Sequence, residues 1–175
     1  VPDLKLTLAR SSSSGLWRPA YVAIGSNLES PRVRVLEAFE RLAQLPATTS
    51  LRRSRLYSSR PMGPQDQPPF VNAAAGFLTR LEARELLDLL HGIEHSMGRI
   101  RGERWGPRII DLDLLWMADA VIDEPGLTVP HPGVSTRNFV LYPLADIAPT
   151  MRMSGGGSVL ELLQNAGSQA ISVLA

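Results

Sequence analysis

Residues 109–117, IIDLDLLWM, constrain the fold more than any other stretch of the chain. The run is apolar enough to be buried and short enough to be a strand. Side chains alternate between the faces of a strand, so Ile110, Leu112, Leu114 and Trp116 share one face. Ile109, Asp111, Asp113 and Leu115 share the other. Asp111 and Asp113 therefore point the same way. Two carboxylates so close repel, and one pKa rises unless a cation sits between them. Taken alone, the pair also describes a strand with one solvated face.

The sequence just upstream changes the balance. Arg99, Arg101, Arg104 and Arg108 all precede the acidic pair. Ordinary salt bridges explain one or two of them. Four beside two carboxylates also describe a site for a highly charged anion held together with a hard cation. Carboxylate oxygens suit Mg²⁺, which takes few protein ligands and completes its shell with water and substrate phosphates. Arginine forks take the remaining phosphate oxygens two at a time. The pattern predicts phosphoryl-type chemistry, in which the protein mainly positions and neutralises charge.

The rest of the chain arranges itself around this strand. AYVAIGSN (20–27) reads as a short buried strand ending in a turn. Pro31 opens a helix whose spacing runs through Val33, Leu36, Ala38, Phe39, Leu42 and Leu45. TTSLRRSRLYSSR (48–60) alternates as a second strand, and residues 58–69, with four prolines and a glycine, form a rigid loop. FVNAAAGFLT (70–79) is a third strand. A second helix after Glu82 carries apolar residues at Leu86, Leu89, Leu90 and Ile93 and stops at Gly98. The order is βαββαβ: an α+β, ferredoxin-like core. A helix near 136–146 and a closing helix at VLELLQ (159–164) add C-terminal elements, giving three α/β/α layers. Residues 1–19 read as a tail or linker, and 20–175 as a single domain.

Composition sets the outer limits. Cysteine is absent, which removes disulfides, thiol catalysis and thiolate metal sites and fits a cytoplasmic protein. The net charge of +1 lacks the basic excess of a general nucleic-acid binder. No apolar run has the length of a membrane span, and no secretory signal is visible. Lys5 is the sole lysine, so the richness in arginine also reflects codon usage.

Other candidates carry less. His131 sits in a turn between prolines. His91 and His95 are spaced i, i+4, but HGIEH lacks the glutamate beside the first histidine that a zinc protease needs. No P-loop pattern occurs, and GSN alone is usually a turn. Trp105, Phe70 and Phe139 suit a core. Phe70 and Asn72 nevertheless share one side of the third strand, and an aromatic beside a buried amide can grip a flat heterocycle.

Taken together, YVAIGSNL, GPQDQPPFVNAA and RWGPRIIDLDLLW…LTVPHP…RNFVLYPLADIAP resemble the 6-hydroxymethyl-7,8-dihydropterin pyrophosphokinases of folate biosynthesis, in order and spacing from Tyr21 to Pro149. The resemblance implies transfer of the terminal pyrophosphate of ATP to the pterin hydroxymethyl group, releasing AMP, with two Mg²⁺ ions. It places both ions on Asp111 and Asp113 and the phosphates on Arg99 and Arg108, with Arg101 and Trp105 in a loop that closes over ATP. His91, Glu94, Leu114, Thr128, His131 and Arg137 would line the nucleotide site. The pterin would stack between Phe70 and Phe139, with Asn72 reading its amide-like edge and Ser59, Arg60, Met62 and Trp105 beside it. Departures are Gly102 in a loop one residue short, Gly126 where an arginine can stand, Pro132 in place of an aromatic, and Arg60 where proline is common. A pterin- or nucleotide-binding paralogue without turnover is one alternative. An RNA-binding ferredoxin-like module is another, although acids stand here where RNA needs stacking and positive charge. The expected partners are small molecules, with no nucleic acid or membrane, and the expected state is a monomer.

Overall fold

The computed structural model describes residues 15–100, 102, 105–118, 120–153, 156–166 and 170–174. The chain begins β1 (Arg18–Ser26), α1 (Pro31–Leu42), β2 (Thr48–Arg53), β3 (Leu56–Ser59), β4 (Phe70–Thr79), α2 (Ala83–Ser96) and β5 (Asp111–Met117). It continues through β6 (Ile122–Glu124), β7 (Leu127–Val129), α3 (Asn138–Ile147), α4 (Val159–Asn165) and β8 (Ile171–Leu174). β1 pairs antiparallel with both β4 and β5, and the main sheet runs β5-β1-β4-β3-β8. That is the expected split βαββαβ sheet. No helix among the described residues is long and apolar enough to cross a membrane.

Each face of the sheet is covered. Val22, Ile24, Ala73, Ala75, Leu112 and Leu114 pack with Phe39 and Leu42 of α1 and Leu86 and Leu90 of α2. On the opposite face Ala74 and Leu115 pack with Val140, Leu141 and Leu144 of α3 and Val159 of α4. Burying apolar area on both sides is what holds such a three-layer unit together. Pro31 occupies the start of α1, where its missing N–H costs nothing. The buried stripe of α1 is Val35, Ala38, Phe39 and Leu42, at i, i+3, i+4 and i+7; Val33 and Leu36, counted in the helical spacing, are exposed. At the start of α2, Glu82 and Glu85 form a reciprocal capping box.

The structure corrects several expectations. The second strand is two strands. Ser54 accepts the Ala74 N–H on its own Oγ (2.8 Å), and Arg55 turns its backbone N–H out to Asp146 (3.0 Å), so the ladder breaks between β2 and β3. β5 contains a bulge: Val22 pairs with Leu114 and Tyr21 with Trp116, leaving Leu115 as the extra residue. The faces swap there, so Trp116 packs with the α3 cluster and Met117 with the α1/α2 cluster. The β6–β7 hairpin has three-residue strands, too short for a visible alternation. α4 does not close the chain, because β8 follows and pairs with β3.

Candidate active site

Further along the face covered by α3, the sheet is left open. Asp111 and Asp113 stand opposite Gly25 and Ala23 of β1, and the small residues leave space above them. Asn72 is opposite Gly25 on the other flank. A Cβ placed on Gly25 would lie 3.8 Å from Asn72 Oδ1, 3.9 Å from Asp111 Cβ and 4.0 Å from a ring carbon of Phe70. The acidic half and the aromatic half of the floor thus meet at this glycine. A cleft of about 670 Å³ opens above it.

The two aspartates live in different surroundings. Asp111 accepts from Arg108 Nη1 and Arg99 Nη1, each at 2.5 Å. Arg99 also pairs with Glu94 of α2, whose Oε1 accepts the Leu112 N–H at 2.7 Å. Burial raises the Glu94 carboxyl above its usual range, although Leu112 and Arg99 pull against it. Among the described residues Asp113 makes no ion pair. Burial first, then the charges of Asp111 and Glu94, push its carboxyl up to about 7, with Arg99 and Arg137 opposing. A carboxylate that lacks a cation, next to one that has two, is what a metal ion would relieve. No group of three or more His, Asp or Glu arranged to hold a metal occurs among the described residues. A pair of same-face carboxylates nevertheless fits Mg²⁺, which needs few protein ligands.

The other half of the cleft is a slot. Phe70 begins β4, and Phe139 sits in the first turn of α3 above the sheet. The buried Asn72 donates from Nδ2 to Ser59 Oγ of β3 at 2.9 Å, which orients its amide. Ser59, Arg60 and Met62 complete that wall.

Two loops are tied across the cleft by residues that the sequence reading passed over. Asn27, just after β1 and 2% exposed, accepts the Arg108 N–H on Oδ1 (2.8 Å) and donates its own N–H to Arg108 O (3.1 Å). Its Nδ2 donates to Gln67 Oε1 and Pro68 O, both at 3.1 Å. Gln67 in turn donates to Trp105 O at 2.9 Å. Trp105 lies against Gly63, where a Cβ would stand 2.5 Å from the Trp105 Cβ, and its ring stacks 5.2 Å from the Arg137 guanidinium. The turn GSN and the two glutamines of PQDQPP were the signal, but a sequence alone does not reveal a partner 81 positions away. His131 accepts the Gly133 N–H on Nδ1 (3.0 Å), which leaves Nε2–H as its donor. Burial, then Arg137, lower its pKa, so it is neutral near pH 7.

All the described candidates line this one cleft. Asp111, Asp113, Arg99, Arg108, Glu94 and His91 lie along its acidic floor and α2 edge. Leu114, Thr128, His131, Arg137 and Trp105 line it too, as do Ser59, Arg60, Met62, Phe70, Asn72 and Phe139. Arg101, and Arg104 of the arginine run, lie outside the described residues.

A ferredoxin-like sheet with carboxylates, arginines and an aromatic slot on its open face is the frame of a small-molecule phosphotransferase. The profile of the 7,8-dihydro-6-hydroxymethylpterin-pyrophosphokinase (HPPK) family matches residues 21–149, and the chain belongs to that family. The chain is similar to 2-amino-4-hydroxy-6-hydroxymethyldihydropteridine pyrophosphokinase of Pseudomonas aeruginosa, 48% identical over 82% of this chain and 88% of that one. The Haemophilus influenzae enzyme of the same name is 41% identical over 83% of this chain and 91% of its own length. Among solved structures, Plasmodium falciparum HPPK-DHPS with pteroate superposes with a TM-score of 0.68 over 87% of this chain, at 14% identity. This chain spans 43% of that longer one, and the likeness is one of fold. The protein is thus a pyrophosphokinase that uses ATP and a hydroxymethyldihydropterin as small-molecule substrates in folate biosynthesis.

Proposed function

We propose that pyrophosphoryl transfer takes place on the open face of β5, with Asp111 and Asp113 holding two Mg²⁺ ions and the pterin in the Phe70–Phe139 slot. One observation carries this reading: the half-buried Asp113, with no ion pair among the described residues, lies beside Asp111, and the slot opens on the same face across Gly25. The slot and the acidic floor therefore bring an acceptor hydroxyl and a polyphosphate together.

In this reading Phe70 and Phe139 stack on the two faces of the heterocycle, and Asn72, oriented by Ser59, supplies a donor and an acceptor to its edge. Arg99 reaches both of its carboxylates through Nη1, so its fork keeps further donors for phosphate oxygens. Arg108, fixed through its backbone by Asn27, bonds the other oxygen of Asp111. Neutral His131 and Thr128 serve the nucleotide, with Trp105 and Arg137 beside them. The pterin oxygen bonds to the β-phosphorus as the bond from that phosphorus to the α,β-bridging oxygen breaks, and AMP departs with the electron pair. The hydroxyl proton passes to solvent or to a phosphate oxygen. Bound Mg²⁺ supplies charge neutralisation of the polyphosphate and alignment of the reacting oxygens.

The test is metal dependence at defined residues. Chelation should abolish turnover and Mg²⁺ should restore it, whereas an Asp113→Ala protein should gain nothing from added Mg²⁺. Turnover that survives complete chelation contradicts the two-ion reading.

A further inference from the structure

Behind the slot lies a polar cluster that the reaction as described does not use. The Asp146 carboxylate, near the C-terminal end of α3, accepts the Arg55 backbone N–H at 3.0 Å, Arg55 Nη2 at 2.6 Å and the Tyr57 hydroxyl at 3.0 Å. Tyr57 is only 2% exposed, and its ring packs 5.9 Å from that of Tyr142 on α3. In the β3–β4 register Tyr57 is the direct partner of Asn72, and Ser59 is the partner of Phe70. Directly opposed residues share a face, so Tyr57 stands next to the amide that orients the heterocycle.

The same helix carries the other wall. Phe139 precedes Asp146 by seven residues, two helical turns or roughly 10 Å along the axis. The height of Phe139 above the sheet is set by the packing of Val140, Leu141 and Leu144 on that face and by where the far end of α3 is fastened. Four donors converge on one carboxylate: the N–H, Nε and Nη2 of Arg55, just before β3, and the hydroxyl of Tyr57 within it, and β3 borders the slot.

We propose that Asp146, acting through Tyr57 and Arg55, is a positioning residue that sets the gap between Phe139 and the Phe70–Asn72 edge and so tunes selection of the flat heterocycle. This rests on the slot being the pterin site. The tie also keeps one protonation state over a wide range. Burial would raise the Asp146 carboxyl, but the Arg55 and Tyr57 hydrogen bonds hold it below its usual range. Burial and the Asp146 bond push the Tyr57 hydroxyl up to about 12.

The experiment is steady-state kinetics in both substrates for Asp146→Asn and Tyr57→Phe, each alone and in a Phe139→Ala background. Losing a charge-assisted hydrogen bond should raise the KM for the pterin roughly ten-fold in Asp146→Asn, with a smaller rise in Tyr57→Phe. The KM for ATP should stay within about two-fold. In the Phe139→Ala background, Asp146→Asn should add almost nothing, because the wall it positions is gone. Equal rises in both KM values, no rise in either, or the full penalty persisting without Phe139 would each overturn the proposal. Tyr57→Phe keeps the buried ring, so it reads the tie without emptying the core. A wild-type protein that makes no pterin-dependent AMP would instead remove the slot reading itself, and this proposal with it, before any variant is compared.

Discussion

Asp111 and Asp113 are chemically identical and two residues apart, yet among the described residues only Asp111 meets arginine directly. Asp113, raised to about 7 by burial and by its acidic neighbours, is more readily protonated in the folded chain than in the unfolded one. Its contribution to stability is therefore fully present below the unfolded carboxylate pKa of about 4 and is lost as pH rises toward 7. Metal-free protein should lose thermal stability across that window, and Asp113→Asn should flatten the decline in a melting series. Because a cation must displace the proton, Mg²⁺ titrated by calorimetry should bind more tightly at pH 8 than at pH 6; equal affinity would contradict Asp113 as a ligand. Asp113→Ala should reduce turnover by roughly 10³-fold or more, with the circular dichroism spectrum unchanged. The acidic pair was legible in the sequence because strand alternation is strictly local. The role of Asn27 was not, since its partners arrive from residues 67, 68 and 108 only when the chain has folded.

Two glycines mark the difference between elements that hold the fold and elements that hold the site. Gly76, in the middle of β4, lies under the Tyr21 ring, where an added Cβ would come within 2.8 Å. Gly76→Ala should overpack that layer and lower stability by about 1–3 kcal/mol in urea unfolding, with little change in KM. Gly63 is in the proline-rich loop and its close neighbour is Trp105. Gly63→Ala should displace Trp105 and lower turnover several-fold while the urea midpoint stays put. A matching stability loss at both positions would contradict this division. At this scale α1, β4 and α2 follow directly from hydrophobic period and turn residues. The break between β2 and β3 does not, because Ser54 Oγ takes the Ala74 N–H in place of a backbone carbonyl and Arg55 turns its N–H to Asp146, bonds that span 20 and 91 residues. The bulge at Leu115 is equally hidden: the run reads as unbroken alternation, and only pairing with β1 reveals the extra residue.

The whole molecule is a sheet with helices on both faces, and its function depends on α3 covering only part of one face. The βαββαβ order was readable because its elements are long and periodic. The hairpin of β6 and β7 and the edge strand β8 were not, being three or four residues each. The open part of the face gathers the acidic floor, the arginines and the slot from segments spread between β1 and α3. Ligand binding should therefore stabilise the fold as a unit: a non-transferable ATP analogue with Mg²⁺, at about 100 times its Kd, should add about 2.7 kcal/mol and raise the melting temperature. The most direct measurement is of AMP itself, resolved by chromatography after incubation with ATP, Mg²⁺ and 6-hydroxymethyl-7,8-dihydropterin, for the wild-type protein and for Asp113→Ala. The account predicts AMP in equal amount to pterin diphosphate with the wild type, none when pterin is omitted, and almost none with the variant. ADP in place of AMP, or undiminished AMP from Asp113→Ala, would contradict it.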